Sequence, residues 1–178
     1  PTEAYQAALK RILHQTERLN EITRSLIFLA QTGYKGHAIP MERLRMDEVV
    51  WEAKQLLDRL NPQNKLQIDL SLLPEDPYKL KVRGNKQLLH LALANVFGNA
   101  CKYSNNRPAT VYVASTDKDV LIMVKDQGIG IPAEELPYIF DPFFRASNTH
   151  LFEGYGIGLP LARNIIRMHQ GTLLVDSK

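Results

Sequence analysis

"NVFGNACKYS", residues 95–104, closes the run "NKQLLHLALANVFGNACKYS" (85–104), which otherwise reads as an apolar helix. Asn95 and Asn99 stand four residues apart, and Gly98 sits beside the second. Interior Asn is a mediocre helix former, and interior Gly costs ~1 kcal/mol relative to Ala. Local stability does not account for these residues: either they are tolerated or they face something polar. Leu89, Leu93, Val96 and Ala100 follow 4, 3, 4 spacing and form a stripe to be buried. Asn95, Asn99 and Lys102 follow 4, 3 spacing and line a neighbouring face. An amide oxygen is a hard ligand suited to Mg²⁺, and a lysine is a point charge suited to phosphate. A polar, solvated face is the plainer alternative.

Two further clusters bear on that choice. "DQGIGIP" (126–132) follows an apolar strand. Gly128 and Gly130 there permit close backbone approach, and Asp126 offers a carboxylate acceptor for an exocyclic amine; a simple strand-to-loop turn would use the same residues. "GYGIGL" (154–159) opens a helix. Glycines before a helix N-terminus make a phosphate site from free N–H groups and the helix dipole, and Pro160 fits the first turn, where no donor is lost. A dinucleotide fold is not indicated, because no strand leads into the glycines and no acidic residue follows at the right distance.

Working outward, the chain reads as two unlike parts. Residues 4–31 suggest one long helix with a heptad seam, in which Tyr5, Leu9, Ile12, Thr16, Leu19, Thr23, Leu26 and Ala30 alternate at spacings of 4 and 3. Such a face needs cover, either from its own domain or from other arms of a helical bundle. Gly33 and Gly36 separate this helix from the remainder of the chain. Beyond residue 38 the pattern predicts a strand over 40–45 and a helix from Glu48 to Leu60, capped by Asp47 and stopped by Asn61-Pro62. It continues with strands over 65–72 and 78–82, the helix over 85–103, a strand pair over 110–116 and 120–126, a helix over 157–169 and a last strand in "TLLVDS" (172–177). Strands interleaved with three helices suggest a two-layer α/β sandwich.

Composition bounds the function. With 178 residues, 44% of them hydrophobic and 23% charged, the chain suffices for one ordinary globular domain plus an extra element. No apolar run approaches the ~18–20 residues of a membrane span, and no stretch reads as a secretory leader. The single cysteine, Cys101, cannot form an internal disulfide and suits a reducing cytosol. A net charge of +3 with interspersed signs is too mild to indicate nucleic acid.

In order, "NVFGNACKYS", "DQGIGIP", "FDPFFR" (140–145) and "GYGIGL" resemble the N, G1, F and G2 boxes of bacterial sensor histidine kinases. The resemblance covers about residues 38–178. It implies an α/β (α+β) fold, the two-layer Bergerat ATP-binding sandwich shared with topoisomerase, chaperone and mismatch-repair ATPases. Residues 1–35 resemble the second helix of the family's dimerisation and phosphoacceptor hairpin, and 38–178 the catalytic ATP-binding domain. By the resemblance, Asn99 ligates Mg²⁺ bridging the ATP phosphates, and Asn95 stands beside the phosphates and takes part in transfer. Lys102 contacts phosphate, Tyr103 lies against adenine, and Asp126 accepts from the adenine amine. Gly128, Gly130 and Ile131 shape that pocket, and Arg145 nears the terminal phosphate. Residues 146–153, "ASNTHLFE", match a short mobile lid. Gly154, Tyr155, Gly156, Ile157, Gly158 and Leu159 match the hinge and phosphate loop. The implied reaction moves the γ-phosphoryl of ATP to a histidine for relay to a response-regulator receiver domain. It would take place in the cytoplasm, in a homodimer joined through helix 4–31, with any membrane tether supplied by other segments.

The sequence also departs from the family. The phosphoacceptor box, a His followed by an acidic residue and Leu-Arg-x-Pro, is absent. His14 lies in "LHQTER" on the other hairpin helix, and His37, His90, His150 and His169 lack the context too. The chain therefore reads as a fragment that binds ATP without labelling itself, stopping at "VDSK" before the family's usual glycine-rich turn and final strand. Tyr155 stands where a small residue is common, and Gln170 where glycine is common. A degenerate nucleotide-binding sensor and an anti-sigma-type serine kinase are the competing functions.

Overall fold

The computed structural model describes residues 5, 6, 8, 9, 12, 16, 23, 39–105 and 107–177. The chain divides into two compact units, Pro1–His37 and Ala38–Lys178. In the first, every described residue is helical, and Tyr5, Leu9 and Ile12 of the seam are exposed. Thr16 Oγ1 donates to Ile12 O at 2.9 Å, a back-bond that seats a hydroxyl on a helix. The seam positions Leu19, Leu26 and Ala30, and His14, lie outside the described residues.

The second unit runs β1 (Glu42–Arg45), α1 (Met46–Leu60), β2 (Leu66–Asp69), β3 (Lys81–Gly84), α2 (Lys86–Tyr103), β4 (Ala109–Ser115), β5 (Val120–Lys125) and α3 (Gly158–Met168). Single 3₁₀ turns lie at Pro77–Leu80, Leu136–Tyr138 and Ser147–Thr149. β1 and β3 form an antiparallel ribbon, and β2-β4-β5 a three-stranded sheet with β2 parallel and β5 antiparallel to β4. Alternation decides the covered face. Ala109, Val111 and Val113 of β4 are buried, with Val49, Val50 and Ala53 of α1 and Leu89, Leu93, Phe97 and Ala100 of α2 in the same core. On β5, Ile122 and Val124 pack inward while Leu121 and Met123 are exposed. Helices thus cover one side of the sheet, as in a two-layer α/β fold.

Some boundaries differ from the pattern-based expectation. α1 begins at Met46, and Asp47 does not cap it: Asp47 lies inside the first turn, where its carboxylate pairs with Arg45. The expected strand over 78–82 starts instead as a 3₁₀ turn, because Asp76 Oδ1 accepts from Tyr78 N at 2.9 Å and Pro77 holds the turn; the strand follows at Lys81. β2 stops at Asp69, whose Oδ1 accepts from Ser71 N at 2.8 Å and bends the chain. The segment 172–177 joins no ladder, though Ser177 Oγ accepts from Ile131 N at 2.8 Å.

Both ends of α2 are secured, which fixes the site it carries. Asn85 caps the start, its side chain accepting from Leu88 N at 3.0 Å. Asn85 N also donates to His169 Nε2 at 2.9 Å, while His169 Nδ1, 2.6 Å from Ile165 O, takes the donor role. One histidine therefore ties the end of α3 to the start of α2. A Cβ at Gly84 would lie 2.9 Å from that ring and 2.8 Å from Leu89 Cδ1, so a larger residue there would push on the tie. At the other end the buried Ser104 hydroxyl donates to Cys101 O at 3.0 Å, and Asn105 turns the chain with φ 51°.

Candidate functional site

The polar strip of α2 faces the loops that follow β5 and precede α3. Asn95 Nδ2 donates to Leu91 O at 2.8 Å, which orients its amide. Its Oδ1 then points at the first turn of α3, and a Cβ on Gly158 would come within 2.5 Å of it. Asn95 and the α3 N-terminus are thus in direct apposition, and a side chain at Gly158 would displace the Asn95 amide. The side chain of Asn99, half-buried one turn along, hydrogen-bonds to no described residue. A Cβ at Gly98 would meet nothing within 4 Å, so the glycine beside Asn99 leaves open space.

Asp126 follows the last residue of β5. Its Oδ1 accepts from Gly128 N at 2.8 Å, which closes a tight turn and leaves the second carboxylate oxygen outside that bond. A Cβ on Gly128 would lie 2.7 Å from Asp126 Oδ1 and 3.0 Å from Tyr103 O. Ile129 N donates to the same carbonyl at 3.1 Å. The turn is therefore stapled to the end of α2, beside Tyr103. Gly130 adopts φ 70°, a conformation costly for side-chain-bearing residues, and its carbonyl accepts from Asn148 Nδ2 at 3.0 Å.

Residues 143–157 close over this floor. Lys102 Nζ donates to Glu153 O at 3.0 Å and lies 4.1 Å from the centroid of the Tyr103 ring. Phe152 meets Tyr103 edge-on at a centroid distance of 5.2 Å. Arg145 Nη2 donates to Thr149 O at 2.7 Å and to Phe152 O. Two cations that the motif resemblance directs to phosphate therefore hold adjacent carbonyls, those of residues 152 and 153. Ser147 N donates to Glu135 Oε2 at 2.9 Å, a second strut for the segment. The hinge is tight: Phe143 N donates to Gly156 O at 3.0 Å, Gly156 has φ 70°, and a Cβ there would lie 2.2 Å from Phe144 O. Phe143 itself takes φ 69°, an unusual conformation for a bulky residue. Ile157 is buried as the N-cap of α3 and lends its carbonyl to Leu161 N at 3.0 Å, while Tyr155 is exposed and Leu159 half-buried.

The arrangement brings Asn95 to Gly158, Lys102 to Gly154, and Tyr103 to the Asp126–Gly128 turn. It holds Arg145 within its own segment. Glu153 O, Phe152, Asn148 and His169 were not indicated by motif reading: the first acts through a backbone carbonyl, and the last is 84 residues from its partner. Cys101 is buried in the core, and burial pushes its thiol up, so it has no part in the site's chemistry.

The donor set can be tested against a nucleotide and its metal. No group of three or more His, Cys, Asp or Glu residues could cage a metal among the described residues. Mg²⁺ does not need such a cage, since it commonly takes one protein oxygen together with substrate phosphates and water. The unengaged amide of Asn99, the ammonium of Lys102 and the opening turn of α3 provide that set of groups along one wall.

Residues 84–178 match the family described as histidine kinase-, DNA gyrase B- and HSP90-like ATPase. The chain belongs to this family, whose members bind ATP. It is 32% identical over 182 residues to the adaptive-response sensory kinase SasA of Thermosynechococcus vestitus, spanning 100% of this chain and 47% of that protein. It is 27% identical to the heme sensor protein HssS of Staphylococcus saprophyticus, over 98% of this chain and 37% of that protein. The chain thus spans half or less of the length of these curated relatives. Among solved structures, the mycobacterial sensor histidine kinase MprB is 26% identical with a TM-score of 0.58, over 72% of this chain and 82% of the other. The Acinetobacter baumannii histidine kinase AdeS shares the fold with a TM-score of 0.75 at 22% identity, over 96% of this chain and 77% of the other. No helix among the described residues is long and apolar enough to cross a membrane.

Proposed function

We propose that the chain is the ATP-binding catalytic part of a sensor histidine kinase. The observation that carries this reading is the apposition of the Asn95–Asn99–Lys102 strip to the glycine turn that opens α3, with the Asp126 turn stapled to the same helix. In this reading Asp126 accepts from the adenine amine, Tyr103 lies against the ring, and Gly128, Gly130 and Ile131 shape the pocket. Lys102 and the N–H groups of Gly154 to Leu159 take the phosphates, the helix dipole of α3 adding to the attraction. Asn99 lends its oxygen to Mg²⁺, which when bound neutralises phosphate charge. Asn95 is fixed where the transferring phosphoryl group would lie.

Lys102 and Arg145 now bond to neutral carbonyls. Phosphate would add an opposite charge to bonds that now end on neutral acceptors, so Lys102 and Arg145 would gain by leaving the carbonyls of the segment 146–153 for a bound nucleotide. Catalysis is then mostly positioning and charge neutralisation. The phosphoryl acceptor is a histidine on a dimerisation hairpin, and the product is read by a response-regulator receiver domain. Residues 4–31 supply one helix of that hairpin, through which two copies of the full protein join, on the cytoplasmic side.

Incubation with γ-labelled ATP and Mg²⁺ is expected to leave this chain unlabelled. A separate hairpin carrying a His-acidic-Leu-Arg-x-Pro segment is expected to become labelled in trans. Tight ATP binding with no transfer to any such hairpin would favour a binding-only sensor, and label on serine would favour the anti-sigma type. Asp126→Asn is expected to weaken ADP by the ~1.5–3 kcal/mol of a hydrogen bond to a charged group; unchanged affinity by calorimetry would remove Asp126 from the pocket.

A further inference from the structure

The ribbon β1–β3 lies outside the nucleotide site and has an unusual charge pattern. Its register sets Arg43 directly opposite Arg83, and Arg45 directly opposite Lys81. Leu44 and Val82, the pair between them, point to the core, so the four cations share the outer face. Like charges directly opposed on a ladder are destabilising. Edge strands often carry a charge to discourage pairing with another strand, but two opposed cationic pairs exceed that need.

The neighbouring carboxylates do not neutralise the face. Arg45 is bonded to Asp47 and Glu48, and Lys86 to Glu52 at 2.8 Å. Lys81 Nζ lies 3.9 Å over the Tyr78 ring, while the side chains of Arg43 and Arg83 have no ion pair or hydrogen bond among the described residues. Glu42 is exposed in register with Gly84, on the alternate face of its strand. Three cations remain unmatched by a carboxylate among the described residues, in a chain whose net charge is only +3. Beside them opens a cleft of about 200 Å³, walled by Arg43, Arg45, Lys81 and Lys86, with Glu48 at one side and Leu44 and Val49 as apolar lining.

We infer that this ribbon is a docking surface for an acidic segment of a partner protein, one carboxylate side chain of which enters the cleft. The cleft, at about 200 Å³, is below the ~300 Å³ at which small-molecule sites begin and suits a single side chain better than a nucleotide. Its concavity suits the head of one Glu or Asp better than a flat anionic membrane. The surface supplies steering and register, the usual contribution of complementary charge. It is independent of the nucleotide site, so the kinase reading can fail while this one holds.

The decisive variant is Arg83→Glu, which replaces a repelling cross-strand pair with an attractive one. Anisotropy of a fluorescein-labelled hexaglutamate peptide is expected to show at least fivefold weaker binding for the variant at low salt, while its Tm rises slightly and ATP-analogue binding stays unchanged. Arg43→Gln/Arg83→Gln should weaken the peptide at least as much. Reversal of two exposed cations off the ribbon, Arg59→Glu/Arg107→Glu, should change it less than twofold. Equal losses in the on-ribbon and off-ribbon variants, or peptide binding retained in Arg83→Glu, would overturn the proposal. So would vesicles containing phosphatidylserine losing their binding in Arg83→Glu while the peptide kept its own.

Discussion

Helices α1 and α2 pack against each other over the same sheet, yet they are built by different rules. α1 follows local stability throughout. Its buried face is Met46, Val49, Val50 and Ala53, acidic residues stand in its first turn and Arg59 in its last, and Lys54 Nζ bonds Asp58 Oδ2 at 2.5 Å one turn on. α2 matches it on the core side with Leu89, Leu93, Phe97 and Ala100 but carries Asn95, Gly98 and Asn99 within its second half. Those residues weaken a helix, and among the described residues the only side-chain hydrogen bond any of them makes is that of Asn95 to Leu91 O, within the helix itself. Asn99 is without a described partner, Gly98 faces open space, and Asn95 approaches Gly158 without bonding to it. Where a helix departs from its own stability rules on a single face, that face is the place to look for a ligand.

The largest effect should come from the feature the two helices share. Phe97 is fully buried, and Phe97→Ala is expected to cost roughly 3–5 kcal/mol of unfolding free energy by urea titration. A loss below about 1 kcal/mol would mean that α2 is not seated in the core as its apolar stripe requires.

Gly98→Ala sharpens the contrast in the opposite direction. The added methyl meets nothing within 4 Å and the helix gains about 0.5–1 kcal/mol, seen as a Tm rise of about 1–4 °C. A fall in Tm would show that Gly98 serves the fold rather than the site.

A smaller effect belongs to the strut between the helices. Lys86 donates to Glu52 and, with His90 close by, holds the Glu52 carboxyl below its ordinary value of 4.5. A depressed carboxyl pKa contributes stability above that ordinary value and loses it as pH falls. The pair is well exposed and screened, so Glu52→Gln is expected to lower Tm by under about 2 °C at pH 7, with the difference vanishing near pH 3. A difference that grew on acidification would reverse the sign of the linkage.

Much of this was legible in the chain itself. The 4, 3 spacing of Leu89, Leu93, Val96 and Ala100 marks α2 and its core face, and the alternation in "TVYVAST" and "VLIMVKD" marks β4 and β5. Short elements were harder to read, because local side-chain bonds override pattern there. Asp76 and Pro77 wind residues 77–80 into a turn inside an alternating stretch, and Asp47 prefers Arg45 to a capping role. The gathering of Asn95, Lys102, Tyr103, Asp126 and the 154–159 glycines could be read from motif order. Their partners could not. Glu153 O and Phe152 O are backbone acceptors without a sequence signature, and the His169–Asn85 tie joins positions 84 residues apart. The opposed cations of β1 and β3 emerge only once the register is known.

The most direct test of why α2 breaks its own rules is Asn99→Ala, measured twice on the same protein. Urea unfolding without nucleotide should give a stability within about 0.5 kcal/mol of the parent or slightly higher, because Ala is the better helix former and the Asn99 side chain bonds to no described residue. Calorimetric titration with ATP should show the Mg²⁺-dependent part of the affinity falling at least tenfold, while metal-free ADP binding is kept. A variant that lost stability yet bound Mg²⁺ and ATP as the parent does would contradict the account, since Asn99 would then serve the helix and not the ligand.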